Sequence, residues 1–388
     1  MKRQHGSALY LKTILTAAAL ILFYSVTSVL AAEPINIGFT ADFSGSNASS
    51  GVQAAPVVEL VVKEINAAGG INGRQVNLIT LDNGSDTAKA AGNAKMFKDQ
   101  YHVRAVIAND TSGVAMVLKA WAEKNHIPVI AVNPQSDKLW VKSGKAWFFR
   151  TETPASPRVE VALAKAKKLG YTKVAFEGST LAWGTDTLAT LKEKAPEYGI
   201  KIVAEALVEP KTKDLSLQAR QLKNSGAQAV ICADYDAETA GLARGMNSIG
   251  WKPYVMHTSS PNLTNALALM DPNLFNGWET LQQIDAQKPL LKKIWKKTRE
   301  HTGKATLENE EGPRAYDGIN LLLAALKLSG NPDDSTAIRD AFYKIKDYER
   351  ALGKIGGKGG FKEGKNHLLA VDDLLIYTVK AGKMVLAK

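Results

Sequence analysis

The sequence predicts an α/β protein built as two doubly wound parallel-sheet lobes in tandem. Two observations carry this prediction. Short apolar runs alternate with longer amphipathic stretches from residue 35 onward, and the alternation restarts with a similar design after Arg150-Thr151. Strands and helices in strict alternation imply a parallel sheet covered by helices on both faces.

In the first unit, INIGFTA (35–41) reads as a strand. The stretch 54–67 reads as a helix, because Val57, Val58, Leu60, Val61 and Ile65 share one face. AGGING (68–73) is a turn cluster and VNLITLD (76–82) the second strand. A helix over 89–100, the strand RAVIAN (104–109), a helix over 114–124 and the strand IPVIAV (127–132) complete the unit. The second unit repeats the plan. Its helices fall at 157–169, 186–198, 215–224 and 237–249, and its strands are KVAFEG (173–178), IKIVAEAL (200–207), AQAVICAD (227–234) and PYVMHT (253–258). Beyond it lie helices at 288–301, 312–328 and 335–345, then a hairpin over 374–387 turning at Ala381-Gly382. GKIGGKGG (353–360) matches no nucleotide fingerprint and reads as a flexible connection between lobes.

The N-terminus reads as an address. Lys2, Arg3 and Lys12 precede an apolar run over 13–26, and small residues follow up to Ala31 and Ala32. A basic start, a short apolar stretch and a small-residue junction are the parts of an export signal, expected to be cleaved near Ala31 or Ala32. The run is shorter than the roughly 20 residues that span a bilayer, and no cysteine sits at the junction to carry a lipid. The mature chain is expected to be exported and soluble.

Composition excludes several function classes. Of 388 residues 45% are hydrophobic and 22% charged, ordinary values for a globular protein and unlike a disordered or coiled-coil chain. The net charge of +11 includes three charges from the leader, and export removes most nucleic-acid partners. A single cysteine, Cys232, excludes an internal disulfide and a cysteine zinc site. No GxSxG, HExxH, Walker lysine loop or GxGxxG after a strand is present. The histidines of the mature chain are scattered, so no metal and no cofactor is expected, and an enzyme lacks a constellation. Lys292, Lys293, Lys296 and Lys297 interleave with Leu291, Ile294 and Trp295 as the solvated face of a helix.

Ligands of doubly wound sheets bind outside the carboxyl ends of the strands, which directs attention to the residues after each strand. The first unit places Asp42-Phe43-Ser44-Gly45, Asp110-Thr111-Ser112-Gly113 and Asn133-Pro134-Gln135-Ser136 there. Hydroxyls and free amides at a helix start suit a carboxylate. The second unit offers 179–183 ending in Trp183, then Asp234-Tyr235-Asp236 and Ser259-Ser260. One lobe thus supplies small polar groups and the other aromatic faces.

The block from Ile35 to Asp86 resembles the opening of the leucine/isoleucine/valine-binding protein family, the type I periplasmic solute receptors of ABC importers. Phe43-Ser44-Gly45, Gly51, the INAAGGING turn (65–73) and Leu81-Asp82 carry the resemblance. It continues through Asp110-Thr111-Ser112-Gly113, Ile127-Pro128-Val129-Ile130, Phe149-Arg150-Thr151, Trp183-Gly184 and Ala315-Tyr316-Asp317-Gly318. The family implies two lobes joined by a three-strand hinge, with the ligand trapped as they close. On that plan 1–32 is the signal peptide, 33–152 plus 281–358 the first lobe, and 153–280 plus 359–388 the second.

Carried over position by position, the family's carboxylate-gripping loops fall on Asp110, Thr111 and Ser112 and on Asn133, Pro134 and Gln135. Proline has no N–H, so one amide donor is lost there and Gln135 is its substitute. An early aromatic that covers the ligand falls on Ser50, and the second-lobe aromatics on Trp183 and Tyr235. The acid that pairs a ligand's ammonium falls on Ser259, which carries no charge. Either Asp110, Asp234 or Asp236 takes that role, or the ligand has no α-amino group. The resemblance therefore implies a periplasmic receptor for a branched-chain or other amino acid, or an aromatic or oxo carboxylic acid. It acts as a monomer and hands its ligand to ABC permease subunits. An exported sensory module built on the same closure is the alternative.

Overall fold

The computed structural model describes residues 33–387, so the expected leader lies outside the described residues. The first sheet has five parallel strands, β1 (Ile35–Ala41), β2 (Val76–Asp82), β3 (Ala105–Asn109), β4 (Val129–Ala131) and β5 (Phe148–Arg150), in the order β2-β1-β3-β4-β5. The second sheet holds β6 (Lys173–Ser179), β7 (Lys201–Val208), β8 (Ala229–Ala233), β9 (Tyr254–His257) and β10 (Glu279–Gln282). Their order, β7-β6-β8-β9-β10, is the same topology repeated. A terminal hairpin extends this sheet beyond β10.

Strand alternation explains how each sheet is clothed. Ala105 and Ile107 of β3 enter one apolar cluster while Val106 and Ala108 enter another. The first cluster is completed by α1 (Ala48–Ala67) and by α9 (Pro289–Thr302), α10 (Glu311–Leu328) and α11 (Ser335–Phe342). The opposite face is covered by α2 (Thr87–Asp99) and α3 (Ser112–Asn125). In the second sheet, Val230 and Cys232 of β8 face α6 (Ser216–Asn224), α7 (Asp236–Ser248) and α8 (Ser260–Leu269). Ala229, Ile231 and Ala233 face α4 (Ala155–Lys168) and α5 (Ala182–Lys194). At about 1.5–3 kcal/mol per buried aliphatic or aromatic side chain, four such clusters hold two lobes, each around its own sheet.

The chain crosses between the sheets three times. It leaves β5 for α4, returns from β10 through Gln283 to Ile284 in the first core, and passes from Leu369 to the final hairpin. That hairpin is β13 (Leu375–Lys380) and β14 (Lys383–Leu386), and it follows a short ribbon of β11 (Tyr348–Glu349) and β12 (Lys358–Gly359).

Several expectations are corrected. The helix expected at 54 begins at Ala48, and the one expected at 186 begins at Ala182. Glycines hid both starts. A Cβ on Gly51 would stand 1.9 Å from the Asp42 carbonyl oxygen, and one on Gly184 2.1 Å from that of Ser179. Both helices need glycine to approach the strand end that closely. Strand β10 and helix α8 were not expected at all. Phe361, Leu368 and Leu369, expected in the second lobe, pack in the first core, whereas Leu281 belongs to the second. The glycine-rich run 353–360 is not a link between lobes. It folds against the first lobe, where Gly360 abuts the Ile345 carbonyl and Gly357 the Arg350 guanidinium.

Candidate functional site

The strand orders place the topological switch of each sheet beside its first strand, between β1 and β3 and between β6 and β8. The carboxyl ends at these two switches face each other across one cleft. It is lined by Asn47, Asp110, Thr111, Ser112, Asn133, Pro134 and Gln135 from the first lobe and Trp183, Tyr235, Ser259 and Asn262 from the second. The space between these walls, its open mouth included, is about 270 Å³. A guest there must be small.

The lobes meet around it. Ser49 donates to Asp236 at 2.5 Å, Asn265 donates to the same carboxylate at 3.2 Å, and Gln53 donates to Asn265 at 3.3 Å. On the other side Asp186 receives both the Ser136 hydroxyl and Lys138, the latter at 2.6 Å. Gln135 reaches Ser259 at 3.5 Å across the cleft itself.

Of the ten residues singled out in the sequence, nine line the cleft and one does not. Thr111 precedes the first turn of α3 with extended backbone, and its hydroxyl has no partner among the described residues. The first amides of α3 are free of intrahelical partners, as at any helix start. Ser112 accepts the backbone N–H groups of Gln135 and Ser136 at 3.3 and 3.2 Å, tying the two first-lobe loops together. The Gln135 amide is therefore spent on Ser112 and does not replace the donor lost at Pro134. Asn133 is held by Arg314 at 2.9 Å.

Trp183 and Tyr235 stand edge to face, with ring centroids 5.4 Å apart. Each sits at the start of a helix that leaves a strand end, α5 after β6 and α7 after β8. Ser50 is the exception. Because α1 begins before it, Ser50 turns into the lobe, and its hydroxyl lies between Asn109 at 2.9 Å and Glu311 at 2.5 Å. Sequence reasoning missed Asn47 and Asn262. Both stand just after strand ends, at the starts of α1 and α8, the position that located the others.

Four buried polar atoms of the lining have no hydrogen-bond partner among the described residues: Asn47 Nδ2, Asp110 Oδ2, Gln135 Oε1 and Trp183 Nε1. Asp110 is fully buried, its Oδ1 held by Asn83. Burial, and then the neighbouring Asp42 charge, push its pKa well above the ordinary carboxylate range despite that bond. The other acids considered are committed elsewhere. Asp234 binds His257 and Thr239, and Asp236 binds Ser49 and Asn265.

Behind the lining, a fully buried ionic network joins both lobes at the hinge. Glu152, on the first crossover, meets Arg158 of α4 and Arg314 of α10, each at 2.6 Å. Arg314 also meets Glu310 at 2.5 Å and Glu311 at 3.6 Å. Arg158 donates to the Thr258 carbonyl at 2.9 Å, and Glu310 accepts the Gln283 amide of the second crossover at 2.6 Å.

The periplasmic binding protein family matches residues 34–383. The chain belongs to that family. This binding protein is 26% identical to a Leu/Ile/Val-binding protein homolog of Brucella melitensis over 326 residues, 83% of this chain and 86% of the relative. Among solved structures, an extracellular ligand-binding receptor from Rhodopseudomonas palustris superimposes with a TM-score of 0.80 at 19% identity, covering 91% of this chain and 99% of that one. A branched-chain amino acid transporter substrate-binding protein from Streptococcus pneumoniae, solved with isoleucine, gives 0.78 at 23% identity, covering 90% and 97%. The binding protein is thus similar to proteins of the Leu/Ile/Val-binding type, one of them solved with isoleucine.

Proposed function

We propose that this binding protein captures a small α-amino acid between its lobes and delivers it to the membrane permease of an ABC importer. The observation that supports this reading best is the convergence of four buried, unpartnered polar atoms from both lobes on one cleft. Each costs roughly 1–3 kcal/mol while unsatisfied, so a guest that completes them gains affinity. The two donors, Asn47 Nδ2 and Trp183 Nε1, with the start of α3, suit a carboxylate. The two acceptors, Asp110 Oδ2 and Gln135 Oε1, suit an ammonium. Since Ser259 is neutral, Asp110 is the acid left to pair the ammonium: burial favours its protonated form in the empty cleft, and a cation seated beside Oδ2 shifts it to the carboxylate. A guest that touches both lobes stabilises the closed form by its differential contacts.

A thermal-shift screen of amino acids, aromatic acids and oxo acids tests the reading, because a guest at a hundred times its Kd adds about 2.7 kcal/mol. The best α-amino acid is expected to lose tenfold or more in affinity in Asp110→Asn. Its deaminated counterpart is expected to bind the wild type weakly and the variant no worse. A screen in which no small carboxylate raises the melting temperature contradicts the proposal.

A further inference from the structure

Behind the Trp183–Tyr235 wall the second sheet carries a cluster of ionisable groups that does not line the cleft. Parallel register sets Glu177 of β6 beside Cys232 of β8, and Cys232 beside His257 of β9. The three form one rung on the face that α6, α7 and α8 cover, and none is exposed. Asp234, just past β8, is equally buried. Its Oδ1 meets His257 Nε2 at 2.6 Å and receives the Thr239 hydroxyl at 2.5 Å. Its other oxygen, Oδ2, and both oxygens of Glu177 are buried and receive no donor from any other described group, and the two carboxyls lie close enough to couple electrostatically.

The protons can be placed from these contacts. The Ser259 amide donates to His257 Nδ1 at 3.0 Å, so that nitrogen carries no hydrogen. The imidazole proton is on Nε2, aimed at Asp234. Among the described residues no lysine or arginine forms an ion pair with Glu177 or Asp234. Two carboxylates this close in a dry interior without such a cation do not both stay ionised. A hydrogen bond between them requires one proton. Asp234 already accepts two donors, whereas both Glu177 oxygens have no other partner.

We propose that Glu177 keeps its proton at neutral pH and donates it to Asp234, and that this shared proton positions the second-lobe wall of the cleft. Three lining residues depend on the pair. Tyr235 follows Asp234 directly, Asn262 donates to the Asp234 carbonyl at 2.5 Å, and Ser259 is anchored through its amide by His257. Glu177 is therefore a positioning residue. Electrostatics agree in direction: burial, then the Asp234 charge, raise the Glu177 pKa well above the usual glutamate range. Burial also works to raise that of Asp234, but the bonds from Glu177, His257 and Thr239 outweigh it. The remaining groups facing the pair are the Cys232 thiol, pushed up by burial, and Glu238 of α7, pushed up to about 7 by burial and Asp234.

A glutamate whose folded pKa is raised makes the folded state hold more protons than the unfolded one. Its stabilisation is complete below the ordinary glutamate pKa and is lost as pH rises toward the folded value. Urea unfolding of the wild type and Glu177→Gln from pH 5 to 9 tests this, because the amide keeps the donor but cannot ionise. The wild-type unfolding constant is expected to grow relative to the variant's by up to tenfold per pH unit in that window. Hydrogen exchange at the Ser259 amide is expected to accelerate with pH more steeply in the wild type. Glu238 titrates in both proteins, so only its coupling to Glu177 survives in the comparison. Parallel pH profiles overturn the shared proton, and an unchanged Ser259 exchange ratio overturns the positioning role. Should Glu177→Gln not fold, Glu177→Met, also unable to ionise, gives the same comparison. No solute is added, so this result stands apart from the proposed capture of an amino acid, on which the consequence for binding rests.

Discussion

Replacing Trp183 or Tyr235 with alanine is expected to lower affinity for the best amino acid of the screen by at least about 2 kcal/mol, roughly 30-fold. Both rings are almost fully buried, 6% and 5% exposed, and they form the apolar side of the cleft by packing edge to face. Trp183 also contributes an unpartnered indole N–H to the lining. Truncating either ring opens space in a core, which costs about 3–5 kcal/mol of stability for large aromatics. Affinity must therefore be read by calorimetry on protein shown to be folded. Tyr235→Phe keeps the ring and is expected to bind nearly as the wild type does. Wild-type affinity in both alanine variants contradicts the proposed site.

Arg314→Met is expected to cost about 3–5 kcal/mol of folding stability, because removing one partner leaves buried charges uncompensated. Arg314 faces Glu152, Glu310 and Glu311, all fully buried, and Glu152 retains only Arg158 without it. The wild-type arginine is held in its charged form: burial alone lowers its pKa, but the three carboxylates outweigh burial. In the variant the orphaned acids take up protons, so the loss is expected to be larger at pH 8 than at pH 5. Urea unfolding at both values checks it. Because Arg314 also holds Asn133 in the cleft lining, affinity is expected to fall along with stability. A loss under 1 kcal/mol at pH 8 contradicts the role given to the network.

The fold was legible wherever burial is written as a run of apolar residues. AVIAN and AVICA, buried along their whole length, announce β3 and β8. ETLQ does not announce β10, since its buried Thr280 and Gln282 resemble a surface turn. The strand-end rule found most of the cleft because it follows from topology alone. It failed at Asp42-Phe43-Ser44-Gly45, which do not line the cleft, while Ser50, taken from the family resemblance, is turned inward by the start of α1. The crossovers were legible through the family resemblance, but the ionic network buried at the hinge was not. Arg158 and Arg314 lie far apart in the chain, and only the packing of the two lobes pairs both with Glu152. The same holds for Asp110: its place after a strand is visible in the sequence, but its unpartnered oxygen depends on Asn83 from another loop.

Small-angle X-ray scattering of the mature protein, with and without the amino acid that gives the largest thermal shift, addresses the closing of two lobes over a guest. The bound protein is expected to be more compact, with a smaller radius of gyration and a scattering curve that fits the closed lobes described above. Superimposable curves at saturating amino acid contradict capture by closure.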